Sequence, residues 1–208
     1  MFVPIERLVM RLRQPASRAA ELVALRRRLR ADRASTVAAD ERALAGEVAR
    51  AKLAVAAAIG EVASCSSCAA RQPWPVGGFA GGACCAGVTA HLFDDHELAA
   101  LAGAGTRPRD LRPPAGGDAH AGCAFRGAKA CSLALAHRPA RCVHYACEGL
   151  RSELHRRGRL DDVEVKLAEL DGAMRSFTAV HRARQDREVL APVIAAVETA
   201  ARRKRTSP

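Results

Sequence analysis

The longest regular features of the chain are two apolar seams with three-and-four spacing. Leu44, Val48, Ala51, Val55, Ala58 and Val62 form the first, and Leu160, Val163, Leu167, Leu170, Met174 and Phe177 form the second. That spacing gathers each set on one side of a helix, so it predicts two helices packed lengthwise on a partner. Both adjoin the same central segment, and they are expected to lie antiparallel across it.

Elsewhere the apolar pattern is shorter. Ile5, Leu8 and Leu12 mark a helix over 5–13 that Pro15 ends. Leu22, Leu25 and Leu29 mark another from Ala16 to Ala31, with a break at Ser35 and Thr36. Asp40 is the expected N-cap of the first seam helix, and Gly60 weakens its end. Residues 69–90 hold five glycines together with Pro73 and Pro75 and read as a loop. Trp74 and Phe79 within it could cover a bound group or simply anchor the loop.

Asp94 and Glu97 fit a capping pair ahead of Leu98 and Leu101, with a stop at Gly103. The Pro- and Gly-rich residues 104–122 read as a surface connection. Leu150 and Leu154 share a face of a helix that Gly158 stops, and Asp161 with Glu164 can cap the second seam helix. Past it, Leu190, Ile194 and Val197 keep an apolar stripe beyond a kink expected at Pro192, and the tail from Arg202 is expected to fray. The predicted fold is therefore mainly α: helical arms over 1–63 and 149–208 around an irregular module over 64–148.

Composition changes this picture in one respect. Only 3% of residues are aromatic, so the expected core is thin and built from Ala, Leu and Val. The net charge of +11 sits mainly in the arms, most densely at Arg26, Arg27, Arg28 and Arg30 and at Arg202, Arg203, Lys204 and Arg205. Such runs suit phosphate neutralisation on nucleic acid or a solvated helix face, and the lack of stacking aromatics favours the solvated face. Arg7, Arg11 and Arg13 interrupt every apolar run near the start, and no stretch approaches the length of a membrane span. The expectation is a cytoplasmic protein without a membrane partner, in which reduced thiols serve metal or redox chemistry rather than disulfides.

The chemistry lies in the cysteines. All eight fall between Cys65 and Cys147, leaving both arms without thiols. Cys65 and Cys68, with two residues between them, form a ligand knuckle, whereas the adjacent Cys84 and Cys85 more naturally serve different ions, or a cluster and its support. Cys123, Cys131, Cys142 and Cys147 follow within 25 residues. Thiolates are soft anionic donors for zinc and for iron–sulfur clusters. Eight of them allow two four-cysteine sites, one [4Fe–4S] cluster with spare thiols, or a bridged pair of ions.

His137 and His144 could be ligands, but with eight cysteines available they are expected to donate to a thiolate from outside the ligand shell or to lie at the surface; Arg138 could hydrogen-bond carbonyls or thiolates, or serve as a buried ion pair or cap. Cys142 and His144 would share a face in an extended segment, as a Cys–His pair requires, but no acid is placed to orient the imidazole. His91, His96, His120, His155 and His181 are scattered and carry no assigned role.

In order, Cys65-x2-Cys68, Cys84-Cys85, Cys123-Ala-Phe, Cys131-Ser-Leu, Arg138-Pro139-x2-Cys142 and Cys142-Val-His-Tyr-Ala-Cys147 resemble the bacterial YkgJ-type cysteine-cluster family, over about residues 65–147. The Arg-Pro pair before Cys142 is the most distinctive shared piece. The chain departs from the family pattern in the long segment 69–83, in Ala124 and Ala146 for prolines, and in Leu133-Ala134 for an Ile-Tyr pair. The resemblance implies a zinc- or iron-chelating module and, because the family includes flagellin lysine methylases, brings in methyl transfer as an activity. No glycine-rich strand–loop–helix for S-adenosylmethionine accompanies it.

Three functions are thus expected: a non-enzymatic metal chelator first; then an iron–sulfur-dependent modifying enzyme such as a protein lysine methylase; then a metal-stabilised interaction module with basic arms. Helix-mediated self-association is compatible with each.

Overall fold

A computed structural model describes residues 18–34, 38–64, 89–114, 123–125 and 131–206. The helix expected over 5–13, most of the loop over 69–90 with Trp74 and Phe79, and Cys65, Cys68, Cys84 and Cys85 lie outside the described residues. Seven α-helices make up the described fold: α1 (Arg18–Ala34), α2 (Ala39–Ile59), α3 (Thr89–Leu92), α4 (Asp95–Gly103), α5 (Ala140–His144), α6 (Glu148–Arg156) and α7 (Leu160–Thr206). There is no strand among them. No described helix is long and apolar enough to cross a membrane.

The two seams meet as their spacing predicts. Val48, Val55 and Ala58 of α2 and Val163, Leu167, Leu170 and Phe177 of α7 are buried in one cluster. The pairing is antiparallel, because Glu41 at the start of α2 meets His181 of α7, while Arg159, just before α7, donates to the Ala57 carbonyl near the end of α2. Leu150 and Leu154 of α6 and Val143 of α5 join the same cluster.

A second core lies under α1. Leu22, Leu25 and Leu29 pack with Phe93, Leu98, Leu101, Leu111, Phe125 and Leu133. Helix α4 is the wall between the cores, turning Ala99 and Ala100 to the first and Leu98 and Leu101 to the second. The helices of the arms therefore share both cores with the central module. The cores also carry more aromatic weight than composition suggests, since Phe93, Phe125 and Phe177 are all buried and the first two rings stand 5.3 Å apart.

Several local expectations need correction. The N-cap of α2 is Ala38; Asp40 lies inside the first turn and accepts from the Glu41 N–H at 2.9 Å. Asp94 does cap α4 by accepting from the Glu97 N–H, but Glu97 does not return the bond, because its carboxylate is engaged across the core. Residues 104–114 are not merely a surface connection: Thr106 and Leu111 are buried, and only 115–122 fall outside the described residues. Thr89 and Ala90 open α3 instead of closing the loop. Asp161 lies in the first turn of α7, and Glu164 pairs with Arg151 at 2.6 Å. Helix α7 runs through Pro192, and the basic tail is helical to Thr206.

Helix α4 approaches α2 closely at Gly103, where a Cβ would stand 2.8 Å from the Ala45 Cβ. Gly103→Ala is expected to lose about 1–2 kcal/mol through overpacking, despite the usual helical gain over glycine. Gly149→Ala in α6, with nothing within 4 Å, is expected to gain up to about 1 kcal/mol. Paired urea unfolding curves check both, and a stabilised Gly103→Ala would mean that α2 and α4 separate freely.

Candidate functional site

The segment from Cys131 to Cys147 is held by two buried charges that come from different helices. Lys52, on the buried side of α2, is 2% exposed. Its Nζ donates to the carbonyls of Ala136 at 2.9 Å and Arg138 at 2.8 Å. Burial pushes its ammonium down to about 8, while Glu97 and Cys142 pull the other way, so the Cys142 sulfur lies within electrostatic reach of this cation.

Glu97 supplies the second charge. Its two carboxylate oxygens accept from the N–H groups of Ala140 at 2.6 Å and Arg141 at 2.9 Å, the first residues of α5. Burial pushes its carboxyl up against the pull of those donors and of Arg141. The Arg138-Pro139 pair sits between these anchors. Pro139 is the N-cap of α5, and its missing N–H leaves no donor for Glu97 to satisfy there. The Arg138 side chain turns back to the carbonyls of Leu133 at 2.9 Å and Cys131 at 3.5 Å, so it ties the Cys131 turn to the Cys142 helix through carbonyls.

Cys123 is buried, and Cys131, Cys142 and Cys147 are half-buried; none of these four is in a disulfide. Cys123 and Cys131 pack with the core under α1, and Cys147 packs with the core between α2 and α7. A backbone bond from the Ser132 N–H to the Phe125 carbonyl at 2.7 Å draws the Cys123 and Cys131 turns together. Thr89, fully buried, accepts from the Ala124 N–H at 3.0 Å and fixes the same turn to α3. Among the described residues no group of three or more His, Cys, Asp or Glu side chains converges on one point as a metal shell does.

The route into the first cysteine pair is also anchored. The Glu153 carboxylate accepts from the Ala63 N–H at 3.0 Å and the Ser64 N–H at 2.8 Å, immediately before Cys65. Those donors hold its carboxyl far below the usual range.

The histidines divide. The His137 ring shares a 3.0 Å hydrogen bond with the Thr106 hydroxyl, and His144 is exposed. Because α5 is helical, residues two apart point to different sides, so Cys142 and His144 do not form the pair that an extended segment would allow. His144 instead lines a cleft of about 240 Å³ with His96, Arg141, Asp171 and Thr178.

Sequence reasoning missed a buried polar cluster at the far end of the α2–α7 pair. Glu41, 1% exposed, pairs with His181, 3% exposed, and with Arg184 at 2.7 Å. His181 stacks on Phe177 and meets the edge of His96. Burial and the neighbouring His181 push His96 down, while burial and Asp95 push nearby Asp32 up. A buried Glu and His on facing seams were readable as a pair only once the seam register was known.

No family model, curated protein or solved structure matches the chain.

Proposed function

We propose that this protein chelates zinc or iron, an iron–sulfur cluster included, through its cysteine cluster. The observation that carries the reading is the anchoring of residues 136–142. Lys52 and Glu97, both buried charges, converge on one short segment and give it four hydrogen bonds. Desolvating two charges costs several kcal/mol before their partners offset it. Such an outlay is understandable where a thiol must be held at a fixed place, and Cys142 is the thiol carried there. The donor chemistry fits a soft metal: thiols, one of them within electrostatic reach of the Lys52 ammonium, with Arg138 already committed to carbonyls. Completing a shell would draw on Cys65, Cys68, Cys84 and Cys85 beside Cys123, Cys131, Cys142 and Cys147, and Glu153 holds the backbone that leads into the first of these. A bound metal would supply folding free energy directly to this module.

The test is elemental analysis of protein purified anaerobically, with visible absorption to separate iron–sulfur from zinc. Cys142→Ser is expected to lower both bound metal and thermal stability. His144→Ala, at an exposed position, should stay within about 0.5 kcal/mol of the parent and keep its metal. A fully folded, metal-free parent would sink the proposal, and equal losses in the two variants would show that His144 is a ligand.

A further inference from the structure

Helix α7 outruns the packed part of the described residues. Among the residues whose side chains are described, His181 is its last buried one, and every residue from Asp186 to Val197 is exposed. The helix nevertheless continues to Thr206, so about 30 Å of it projects at 1.5 Å per residue. One side of this projection is apolar. Val189, Leu190, Val193, Ile194 and Val197 are between 52% and 69% exposed. At 3.6 residues per turn they fall within an arc of about 140°, which makes one apolar face. Such a face on a helix standing clear of its own core marks an interaction surface.

The order of residues along the face indicates what covers it. Asp186, Leu190, Val193, Val197, Ala200 and Lys204 follow one another at spacings of four, three, four, three and four. That is the seam of a coiled coil, and it reads symmetrically about residue 195. Two copies laid antiparallel across that centre place Leu190 opposite Ala200, Val193 opposite Val197, and Asp186 opposite Lys204, each contact occurring twice. Large residues meet small ones, and each end of the seam closes with an acid facing a base. We propose that α7 is the interface of an antiparallel homodimer centred on Ala195.

Two other occupants fit less well. An anionic membrane surface would favour a helix that keeps acid off its apolar face, yet Asp186 lies in the middle of it. Residues 1–17 of the same chain carry Ile5, Leu8 and Leu12 but are net basic, with Glu6 as their one acid, and so offer little to face Lys204. A second copy matches both ends at once because a two-fold contact is self-complementary.

The experiment is sedimentation equilibrium on the full chain under reducing conditions, which removes disulfide-linked species. The parent is expected to dimerise reversibly, and Leu190→Glu with Val197→Glu to be monomeric. Asp186→Lys and Lys204→Asp should each weaken the dimer about tenfold, since every exposed contact is lost twice. Combined in one chain, the two changes restore both contacts and should return the affinity to that of the parent. All these positions lie on the projecting part of the helix, so circular dichroism should show unchanged helix content. A monomeric parent overturns the proposal, as does a double exchange no tighter than either single one. Binding of a monomeric parent to phosphatidylglycerol vesicles would reassign the face to a lipid surface.

Discussion

Replacing Glu41 with glutamine is expected to lower stability by about 3 kcal/mol at neutral pH, and by progressively less as the pH falls below the carboxylate range. Glutamine keeps the size of the side chain but removes the charge and points an N–H donor at a cation or at the imidazole. The loss falls on partners that have few alternatives. His181 is 3% exposed, and the Arg184 side chain is 14% exposed. Arg184 retains its 2.7 Å pair with Glu188, which keeps the cost near the lower end of the range for a broken buried pair. For a domain of this size the expected drop in Tm is about 6–12 °C.

The pH dependence has a definite sign. Burial pushes the Glu41 carboxyl up, but its bonds to Arg184 and His181 outweigh that and hold it below the ordinary 4.5. On acidification the unfolded chain therefore takes up this proton first. The stability that Glu41 contributes is complete above about pH 4.5 and is lost as the pH falls through the lower, folded value. Parent and Glu41→Gln unfolding curves should thus converge on acidification, although the other acids titrate in both. A gap as wide at pH 3 as at pH 7 would show that Glu41 acts through shape rather than charge.

The sequence revealed the α2–α7 pair because periodicity reports which side of a helix is buried, and the seams run unbroken for about four turns of α2, from Leu44 to Ala58, and five of α7; Val62 lies past the end of α2 at Ile59. It revealed less of the module, where many contacts join residues about thirty to ninety positions apart and leave no local period. Glu97 illustrates the difference. Spacing marks it as the partner of Asp94 in a helix cap, and the cap forms from the Asp94 side, yet the Glu97 carboxylate reaches α5 instead. The Arg-Pro-x2-Cys motif was visible as a motif, but its anchors were not, since Lys52 and Glu97 are ordinary surface-type residues until the fold buries them. Leu111 escaped notice for a related reason: prolines and glycines around it describe the path of the chain, not the single apolar side chain that the path delivers to the core. The projecting end of α7 was legible only as a stripe. Its exposure could not be read from pattern, because an apolar face looks the same whether its partner is in the same chain or in another.

Lys52→Met offers the most direct test of how the Cys142 segment is held, and it is expected to destabilise the protein by about 2 kcal/mol. Two effects oppose each other. Methionine has nearly the same reach as the lysine stem and relieves the burial of an ammonium whose pKa is already pushed down to about 8. Against that, the carbonyls of Ala136 and Arg138 lose their donor, and leaving a buried acceptor unmade costs about 1–3 kcal/mol each. Glu97 and Cys142 also lose a cation that attracts them both. The acceptors should prevail, because there are two of them and the lysine desolvation is already partly offset by its neighbours. The effect should also be local: amide hydrogen exchange should quicken over residues 137–142, while the far end of α2 around Glu41 keeps its protection. A methionine variant as stable as the parent, with unchanged exchange at 137–142, would mean that Glu97 alone fixes the segment and that Lys52 is only tolerated beneath it. The opposite pattern, faster exchange at 137–142 with little loss of global stability, would still assign Lys52 to positioning Cys142, because it would separate the order of that segment from the strength of the core around it.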